Sequence, residues 1–435
     1  MAERKLFGTD GVRGAVGELL TPDLAVRLGR AAALTAEPDR PQVLIVRDTR
    51  ESGPMLEEAL AAGIASGGGD AMLGGVLPTP AASVLGRRLD FDLAAVVSAS
   101  HNPFGDNGIK FFDRRGRKLG DEVEAAIEAE LDRPARSDVG AVRVLEGAFD
   151  DYQRELRTAF ALDLSGIRVA LDCANGATHR AAPAIFETLG AEVELTGHEP
   201  DGRNINEGCG STHPQRIRDL VASSGAQIGF AFDGDGDRVV AVDSAARLHD
   251  GDDLIALIAT DLRDRGELEG GVAVTVMTNY GFHTAMKEAG IELEVTQVGD
   301  RYVIEAMEER GWQLGGEQSG HIVWTGFAPT GDGIAASLLT LRALRGRTLE
   351  GATPLERLPQ RLENVEVAER EAIAGAEALW AAVDEESAKL DGRGRVLVRP
   401  SGTEPLLRVM VEAPEKDECD AVVERLVEIA RSELA

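Results

Sequence analysis

One stretch, residues 93–103, decides how the fold is interpreted; it reads LAAVVSASHNP. Its first five residues form an apolar run short enough for a buried strand, and Asn102-Pro103 favours a turn directly afterwards. In open α/β sheets, the loops that leave the carboxyl ends of strands carry the ligand chemistry. The loop here would present the hydroxyl of Ser100 beside the imidazole of His101. Such a serine is suited to act as a nucleophile or a phosphate carrier, and a polar surface turn is the alternative interpretation.

The order strand, helix, strand, helix, strand, polar loop is predicted three times along the chain. The last strand of each copy and its loop are 93–97 with 98–103, 227–232 with 233–238, and 312–314 with 315–321. In the first copy, we predict Thr79 as the N-cap of the second helix and Pro80 as its first residue. Strands that alternate with helices predict mostly parallel sheets covered by helices. Copies of this length indicate three similar domains rather than a solenoid.

The C-terminal region has a different pattern: a helix, a strand, a short loop, a second strand and a final helix. This order is typical of a small α+β domain. We therefore predict an α/β protein in which three similar α/β domains with mostly parallel mixed sheets and a small C-terminal α+β domain surround one central cleft. The predicted domains are 1–160, 161–255, 256–365 and 366–435.

The composition of the 435 residues excludes several classes of protein. A net charge of −29 argues against a nucleic-acid surface, which needs a basic footprint. No stretch approaches the ~18 consecutive apolar residues of a membrane span, and the N-terminus lacks the apolar region of a signal peptide. We therefore expect a cytoplasmic protein. Three scattered cysteines, Cys173, Cys209 and Cys419, indicate reduced thiols rather than a disulfide framework or a zinc site.

Three aspartates, Asp233, Asp235 and Asp237, alternate with glycine after the last strand of the second copy. In an extended segment their carboxylates would share one face, where they repel one another unless a cation lies among them. An EF-hand calcium loop fails on register, because Arg238 and Ser244 stand where that loop needs glycine and glutamate. Magnesium, which takes few carboxylates and leaves room for a phosphoryl oxygen, fits better. A solvated acidic turn is the alternative.

Other polar loops supply the remaining groups that chemistry on a phosphate ester would need. A glycine-rich turn, residues 6–14, delivers Arg13. Lys110 and His101 are two candidates for moving a proton near Ser100. Candidates for binding substrate hydroxyls and charge are Arg238, Glu317, Ser319 and His321. A set of donors suited to phosphate lies in the C-terminal region at Arg399, Ser401, Gly402, Thr403 and Arg408.

Five of these segments, taken together, resemble the signature loops of the α-D-phosphohexomutases, in that family's order and across almost the whole chain. They are residues 8–14, 98–103, 233–238, 316–321 and 399–403. Within the superfamily, residues 8–14, 107–112 and 315–321 are most similar to the bacterial branch that acts on glucosamine phosphate.

This resemblance implies that Ser100 is carried as phosphoserine, gives its phosphoryl group to glucosamine 6-phosphate, and takes one back from a 1,6-bisphosphate intermediate. The product would be glucosamine 1-phosphate. Mg²⁺ on Ser100 and the three aspartates would be the cofactor, and glucosamine or glucose 1,6-bisphosphate the activator. By similarity, Arg13 and Lys110 would contact the reacting phosphate, and Glu317 and Ser319 the sugar hydroxyls. The four domains would carry, in order, the phosphoserine, the metal, the sugar-recognition loop and a phosphate-binding lid.

Several alternatives remain open from the sequence. A phosphoglucomutase or phosphomannomutase would use the same machinery on a different hydroxyl pattern. A phosphatase would pass the phosphoryl group from Ser100 to water, and a silent binding protein would need neither Ser100 nor the aspartates. The expected partner is a small hexose phosphate, without nucleic acid or membrane, and a homodimer is possible.

Overall fold

The computed structural model describes residues 6–8, 10–400 and 405–434. Within them, eighteen strands form four sheets, and helices pack between and around the strands. None of the helices in these ranges combines the length and the apolar content that a membrane span requires.

The first sheet has six strands in the order β1-β5-β4-β2-β3-β6. β4 is buried along its whole length, as expected for a central strand covered on both faces. β5 runs antiparallel to β4 and β1, and the other neighbours are parallel. The elements are β1 (Val12–Ala15), α1 (Pro22–Thr35), β2 (Gln42–Arg47), α2 (Gly53–Ser66), β3 (Asp70–Val76), α3 (Thr79–Arg88), β4 (Leu93–Val97), β5 (Asp106–Asp113), α4 (Asp121–Ala129), β6 (Val142–Val144) and α5 (Ala148–Ala159).

The second sheet has the order β11-β10-β9-β7-β8, and the third has the order β13-β12-β14-β15. The second set of elements is β7 (Arg168–Asp172), α6 (Thr178–Thr188), β8 (Glu192–Thr196), α7 (Gln215–Ser224), β9 (Ile228–Phe232), β10 (Val239–Asp243), β11 (Leu248–His249) and α8 (Gly251–Asp264). The third set is β12 (Val272–Thr275), α9 (Tyr280–Ala289), β13 (Leu293–Thr296), α10 (Asp300–Arg310), β14 (Leu314–Gly316), β15 (Ile322–Trp324) and α11 (Gly333–Leu344).

The fourth sheet is antiparallel, with the order β16-β18-β17. Its elements are β16 (Gln360–Glu366), a short 3₁₀ helix (Arg370–Gly375), α12 (Glu377–Leu390), β17 (Arg395–Pro400), β18 (Leu406–Glu412) and α13 (Lys416–Leu434). α12 and α13 bury apolar side chains in the core of this sheet. The predicted α+β class of the C-terminal region is therefore confirmed.

The predicted threefold repeat is confirmed by the strand order. In each copy the third strand lies beside the first and the first beside the second: β4-β2-β3, β9-β7-β8 and β14-β12-β13. These neighbours are parallel, and an antiparallel strand follows each third strand: β5, β10 or β15. Each polar loop therefore lies at the carboxyl end of a central strand, where ligand-binding loops gather in α/β sheets.

Three details differ from the sequence predictions. α3 begins at Thr79 with Pro78 as its N-cap, and the Thr79 hydroxyl is bonded to Asp235 instead of capping the helix. The strand predicted at 312–314 is β14, which begins two residues later because the chain is still leaving α10 there, with the Trp312 amide bonded to the Met307 carbonyl. The predicted boundary at 365/366 falls inside β16, whose pairing with β18 assigns the whole strand to the fourth sheet.

Candidate active site

Ser100 and the three aspartates meet where the loops after β4 and β9 come together. The Ser100 hydroxyl donates a hydrogen bond of 2.6 Å to Asp233 Oδ2, and the side chain is 1% exposed. One ligand oxygen from each of Asp233, Asp235 and Asp237 lies within 4.8 Å of the others, and all three residues are buried. The structure thus brings together two loops that are more than 130 residues apart in the chain.

The aspartates converge because residues 233–238 form a turn, and not because they lie on one face of an extended segment as the sequence suggested. Gly236 has a φ of 75°, which favours glycine in such a turn. Gly234 lies close to the serine loop, by which we mean residues 98–106, from the end of β4 to the start of β5. A Cβ at Gly234 would be 2.6 Å from the Ser100 carbonyl oxygen. The two glycines therefore permit the turn and its contact with the serine.

The aspartate turn has the properties of a site for a hard divalent cation. Among the described residues, Asp235 Oδ1 and Asp237 Oδ1 are buried oxygens without a hydrogen-bond partner. Buried polar atoms are normally satisfied, so these two oxygens are suited to bind a cation. A cation held by a few carboxylate oxygens fits this donor set and the chemistry of Mg²⁺.

The neighbouring charges shift the pKa values of the three carboxylates in different directions. Burial, followed by the charges of Asp237 and Asp235, raises the pKa of Asp233 well above its ordinary value. Burial and then the charge of Asp237 also oppose the ionisation of Asp235, but the Lys110 ammonium 2.8 Å away, together with the Thr79 hydroxyl, outweighs them, and the pKa of Asp235 lies below its ordinary value. Against the same burial, His321 and then Lys110 hold the pKa of Asp237 well below the ordinary range. A cation would relieve the repulsion at Asp233.

The three other predicted catalytic residues lie around this centre. His101 Nδ1 is 3.4 Å from the Ser100 hydroxyl, and burial, then Arg238 and Arg13, lower the pKa of His101 below its ordinary value. Lys110 is buried and bonded to Asp235, so its ammonium is directed at the aspartate turn. Arg13 is half-buried and paired with Asp10. Of the two candidates for moving a proton, His101 is therefore the one whose contact with the Ser100 hydroxyl the structure shows.

The predicted substrate-binding residues lie in and beside the loop after β14. Glu317 Oε1 accepts a hydrogen bond of 3.0 Å from the Gly299 amide, and Ser319 is exposed with its hydroxyl 3.5 Å from Glu317 Oε2. His321 is buried, with Nδ1 3.7 Å from Asp237 Oδ2, while Nε2 accepts from the Gly331 amide. His321 is thus directed at the aspartate turn, and the backbone of Val239 bonds to Gly320 beside it.

A cleft of about 470 Å³ opens beside these loops. Its walls contain both predicted and unpredicted residues, and six of them carry carboxylates. The lining residues are Asp10, Arg13, His101, Asp121, Asp237, Arg238, Val298, Gly299, Asp300, Arg301, Tyr302, Glu305, Glu317 and His321. Ser100 lies next to the lining residue His101, and its hydroxyl is bonded to Asp233 of the aspartate turn.

Part of the wall consists of ion pairs that the sequence analysis missed. Lys118 bonds both Asp10 and Asp300, and Asp10 also pairs with Arg13. Asp300 Oδ2 lies 3.7 Å from His321 Nε2. Residues 298–302 precede and begin α10, where no motif marks them; only their place after β13, at the carboxyl end of a parallel strand, could have pointed to the site.

The C-terminal phosphate set is described in part. Arg399 and Arg408 lie directly opposite each other on β17 and β18, and burial, then Arg408, lowers the pKa of Arg399. Two facing cations favour an anion between or beside them. The other predicted members, Ser401, Gly402 and Thr403, lie outside the described residues, so the phosphate set stays a prediction.

All four domains of one protein family match this chain. The family is phosphoglucomutase/phosphomannomutase: its alpha/beta/alpha domain I matches residues 4–137, its alpha/beta/alpha domain II 150–246, its alpha/beta/alpha domain III 250–363, and its C-terminal domain 362–429.

Individual proteins match over nearly the full length. The chain is 49% identical to the phosphoglucosamine mutase of Moorella thermoacetica, over 98% of this chain and 99% of that protein. A phosphoglucomutase/phosphomannomutase family protein from Burkholderia thailandensis superposes with a TM-score of 0.84 at 25% identity, covering 100% of this chain and 98% of the other. The Aspergillus fumigatus N-acetylphosphoglucosamine mutase, solved with GlcNAc-6P and magnesium, has the same fold, with a TM-score of 0.71 at 20% identity over 100% and 96% of the two chains.

Proposed function

Because the chain belongs to the phosphoglucomutase/phosphomannomutase family, we propose that its cleft isomerises a hexose phosphate by moving a phosphoryl group through Ser100. The enzyme is a phosphohexomutase, an isomerase of the phosphoglucosamine mutase type, as its relatives at 45–49% identity are. It interconverts glucosamine 6-phosphate and glucosamine 1-phosphate. The intermediate is the 1,6-bisphosphate, which exchanges its two ends before the phosphoryl group returns to the serine.

One observation carries this proposal: the Ser100 hydroxyl lies 2.6 Å from Asp233, and the neighbours of these two residues, His101 and Asp237, line a cleft that also contains arginines and carboxylates. A nucleophile in this place can accept and release a phosphoryl group at one fixed point. The bond between phosphorus and the Ser100 oxygen breaks as a bond forms between phosphorus and a sugar hydroxyl oxygen; that hydroxyl loses its proton and the Ser100 oxygen gains one. The reverse transfer, from the other end of the sugar, restores the phosphoserine. Arg13 and Arg238 are within the cleft to bind the charged oxygens of that group.

We assign the divalent cation to Asp233, Asp235 and Asp237, together with an oxygen on Ser100. When bound, Mg²⁺ would neutralise charge on the transferring phosphoryl group. Lys110 keeps Asp235 ionised and in place. His101, which is neutral at neutral pH because its pKa is lowered, is available to accept a proton next to Ser100.

The remaining assignments concern the two ends of the substrate. Glu317 and Ser319 would bond the sugar hydroxyls, and Glu317 is already fixed in orientation by the Gly299 amide. Arg399 and Arg408, with residues 401–403, would bind the phosphate that does not react. A homodimer stays a prediction.

Purified protein tests the proposal in an assay against glucosamine, glucose and mannose 6-phosphates, each with its 1,6-bisphosphate. We expect the highest kcat/KM for glucosamine phosphate, with product formed in equal amount to substrate consumed. Higher kcat/KM for glucose or mannose phosphate would assign the enzyme to another branch of the family. Release of inorganic phosphate in place of an isomer would instead indicate a phosphatase.

A further inference from the structure

The backbone of Ser100 is in a conformation that side chains rarely adopt. Its φ is 52°, in the left-handed region that favours glycine. Strained residues of this kind persist only where the surroundings fix them, and they are concentrated at functional sites. The contacts that fix the Ser100 backbone therefore affect the direction in which its hydroxyl points.

The amide side of Ser100 is held through a buried carboxylate. Its N–H donates 3.0 Å to the hydroxyl of Ser98, and that hydroxyl donates 2.5 Å to Asp48 Oδ2. Asp48 also accepts from Arg50, through the backbone amide and through Nε, both at 2.9 Å. Asp48 and Arg50 are both fully buried.

The carbonyl side of the loop is held by the same ion pair. Besides its bond to Asp48, Arg50 uses both Nη1 and Nη2 to donate to the serine loop, so all five N–H groups of the guanidinium have acceptors. The four acceptors on the loop are the carbonyl oxygens of Ser100 at 3.0 Å, Asn102 at 2.8 Å, Asp106 at 3.1 Å, and Pro103. A lysine has three donors and no planar fork, so it cannot make this set.

A second donor reaches the loop from the second α/β copy. The Asn206 amide donates 2.9 Å to the Ser100 carbonyl and 3.1 Å to the Asn102 carbonyl. Asn206 therefore ties the serine loop to the part of the chain that bears the aspartates. The side-chain oxygen of Asn206 has no hydrogen-bond partner among the described residues. Replacing the side chain therefore removes its two hydrogen bonds to the serine loop.

We propose that Arg50, assisted by Asn206, is a positioning residue for phosphoryl transfer, which holds the peptide groups around Ser100 so that the hydroxyl faces the aspartate turn. The inference rests on the proposed function and adds to it two residues outside the cleft lining. Neither side chain touches the substrate; both act through the Ser100 backbone.

The test begins with Arg50→Lys, which keeps the charge beside Asp48 and removes the fork. A displacement of about 1 Å at a reacting atom lowers a rate by about 100-fold, so we expect kcat to fall by about 100-fold while KM for the sugar phosphate changes less than about threefold. Arg47→Lys is the matched control, since Arg47 is the last residue of β2, close to Arg50 in the chain, and is bonded to Glu57 and the Asp48 carbonyl among the described contacts. Its kcat should stay within about twofold of wild type.

Chemical rescue separates positioning from a general loss of structure. In Arg50→Ala, about 50 mM guanidinium, far below denaturing concentrations, should restore kcat by at least about tenfold. The same salt should not increase the kcat of Arg47→Ala or of wild type. Asn206→Ala should lower kcat by about tenfold at unchanged KM, and it decides the question alone if the Arg50 variants do not fold.

The rate at which Ser100 acquires a phosphoryl group from glucose 1,6-bisphosphate, followed by intact mass, distinguishes this inference from the proposed function. Wild type that is phosphorylated but forms no isomer would contradict the proposed function, while slow phosphorylation limited to the Arg50 and Asn206 variants would still support positioning. Wild-type rates of phosphorylation in Arg50→Lys and Asn206→Ala would overturn the inference. A wild type that is never phosphorylated would overturn both.

Discussion

The two sides of the cleft are held together by different forces. The transfer centre, by which we mean Ser100 and the three aspartates, is at most 3% exposed and is fixed by hydrogen bonds from several parts of the fold. The Thr79 and Ala177 amides bond to the aspartate turn, and Gly333 at the start of α11 does the same. The geometry of this centre therefore exists before any substrate binds.

The ionic wall, by which we mean Asp10, Arg13, Lys118, Asp300 and Arg301, is held by side-chain ion pairs. These side chains are 15–28% exposed. Partly exposed ion pairs contribute little to stability. We expect the bonds of phosphoryl transfer to form at the buried centre, and the partly exposed wall to be the side that adjusts when the bisphosphate intermediate turns over.

The largest expected effect is at the rigid centre. Ser100→Ala removes the phosphoryl carrier, so mutase kcat should fall by at least about 10⁴-fold even with added bisphosphate. The matched control is Ser337→Ala, a buried serine whose hydroxyl bonds to the Gly333 carbonyl, and its kcat should stay close to wild type. If Ser100→Ala turned over near the wild-type rate, Ser100 would not carry the phosphoryl group. The contrast between the transfer centre and the ionic wall would then have no functional meaning.

The second-largest effect is expected when the metal is removed from the transfer centre. Dialysis against a chelator should lower kcat by about 10³-fold, because the charge of the phosphoryl group would no longer be neutralised. Mg²⁺ should restore the rate, and Ca²⁺ should restore less of it, since calcium prefers more ligands at longer distances. Full activity in protein shown by elemental analysis to be free of metal would mean that the aspartate turn is not a cation site.

A smaller effect is expected on the substrate side. Glu317→Gln keeps the shape and the bond from the Gly299 amide but weakens bonds to sugar hydroxyls, so kcat/KM should fall by about 10- to 100-fold. Inhibition by inorganic phosphate should be unchanged. Glu57→Gln, at a buried carboxylate paired with Arg47, is the control for loss of charge. A change limited to phosphate affinity would contradict the sugar assignment.

The smallest effect concerns the stability of the structure behind the aspartate turn. Asp332, the N-cap of α11, is bonded to Tyr152, and burial raises its pKa from 3.8 to about 6. The folded state thus binds this proton more tightly than the unfolded state, and the stabilisation present below pH ~4 is lost as the pH rises through about 6.

Asp332→Asn removes that titration while keeping a residue that can cap the helix. Relative to wild type, the variant should therefore gain on the order of 1 kcal/mol of unfolding free energy between about pH 5 and about pH 8. Denaturant unfolding at both pH values measures the difference. An equal difference at the two pH values would show that Asp332 does not titrate in this range.

The sequence predicted well what repeats along the chain. Three copies of one strand order placed three polar loops at corresponding points, and the family resemblance implied that Ser100 lies with the three aspartates. The predictions failed where geometry depends on distant partners. Thr79 looked like a helix cap, but in the structure its hydroxyl bonds to Asp235, more than 150 residues away in the chain.

The supporting residues were harder to predict for the same reason. Arg50 follows β2 as Ser98 follows β4, so its place at the carboxyl edge of the sheet was a usable signal. Asn206 lies between β8 and α7 in a glycine-rich stretch without periodicity, where nothing local indicates its bonds to the serine loop. Lys118 and Asp300 carry no motif, and only the folded chain shows that they pair.

The most direct measurement of the central claim is a single turnover with enzyme labelled by ³²P on Ser100. Mixed with unlabelled glucosamine 6-phosphate, the label should leave the protein, pass through the 1,6-bisphosphate, and appear in a monophosphate of glucosamine. Label that stays on the protein while product forms, or that appears as inorganic phosphate, would contradict a phosphoryl group carried by Ser100 between the two ends of the sugar.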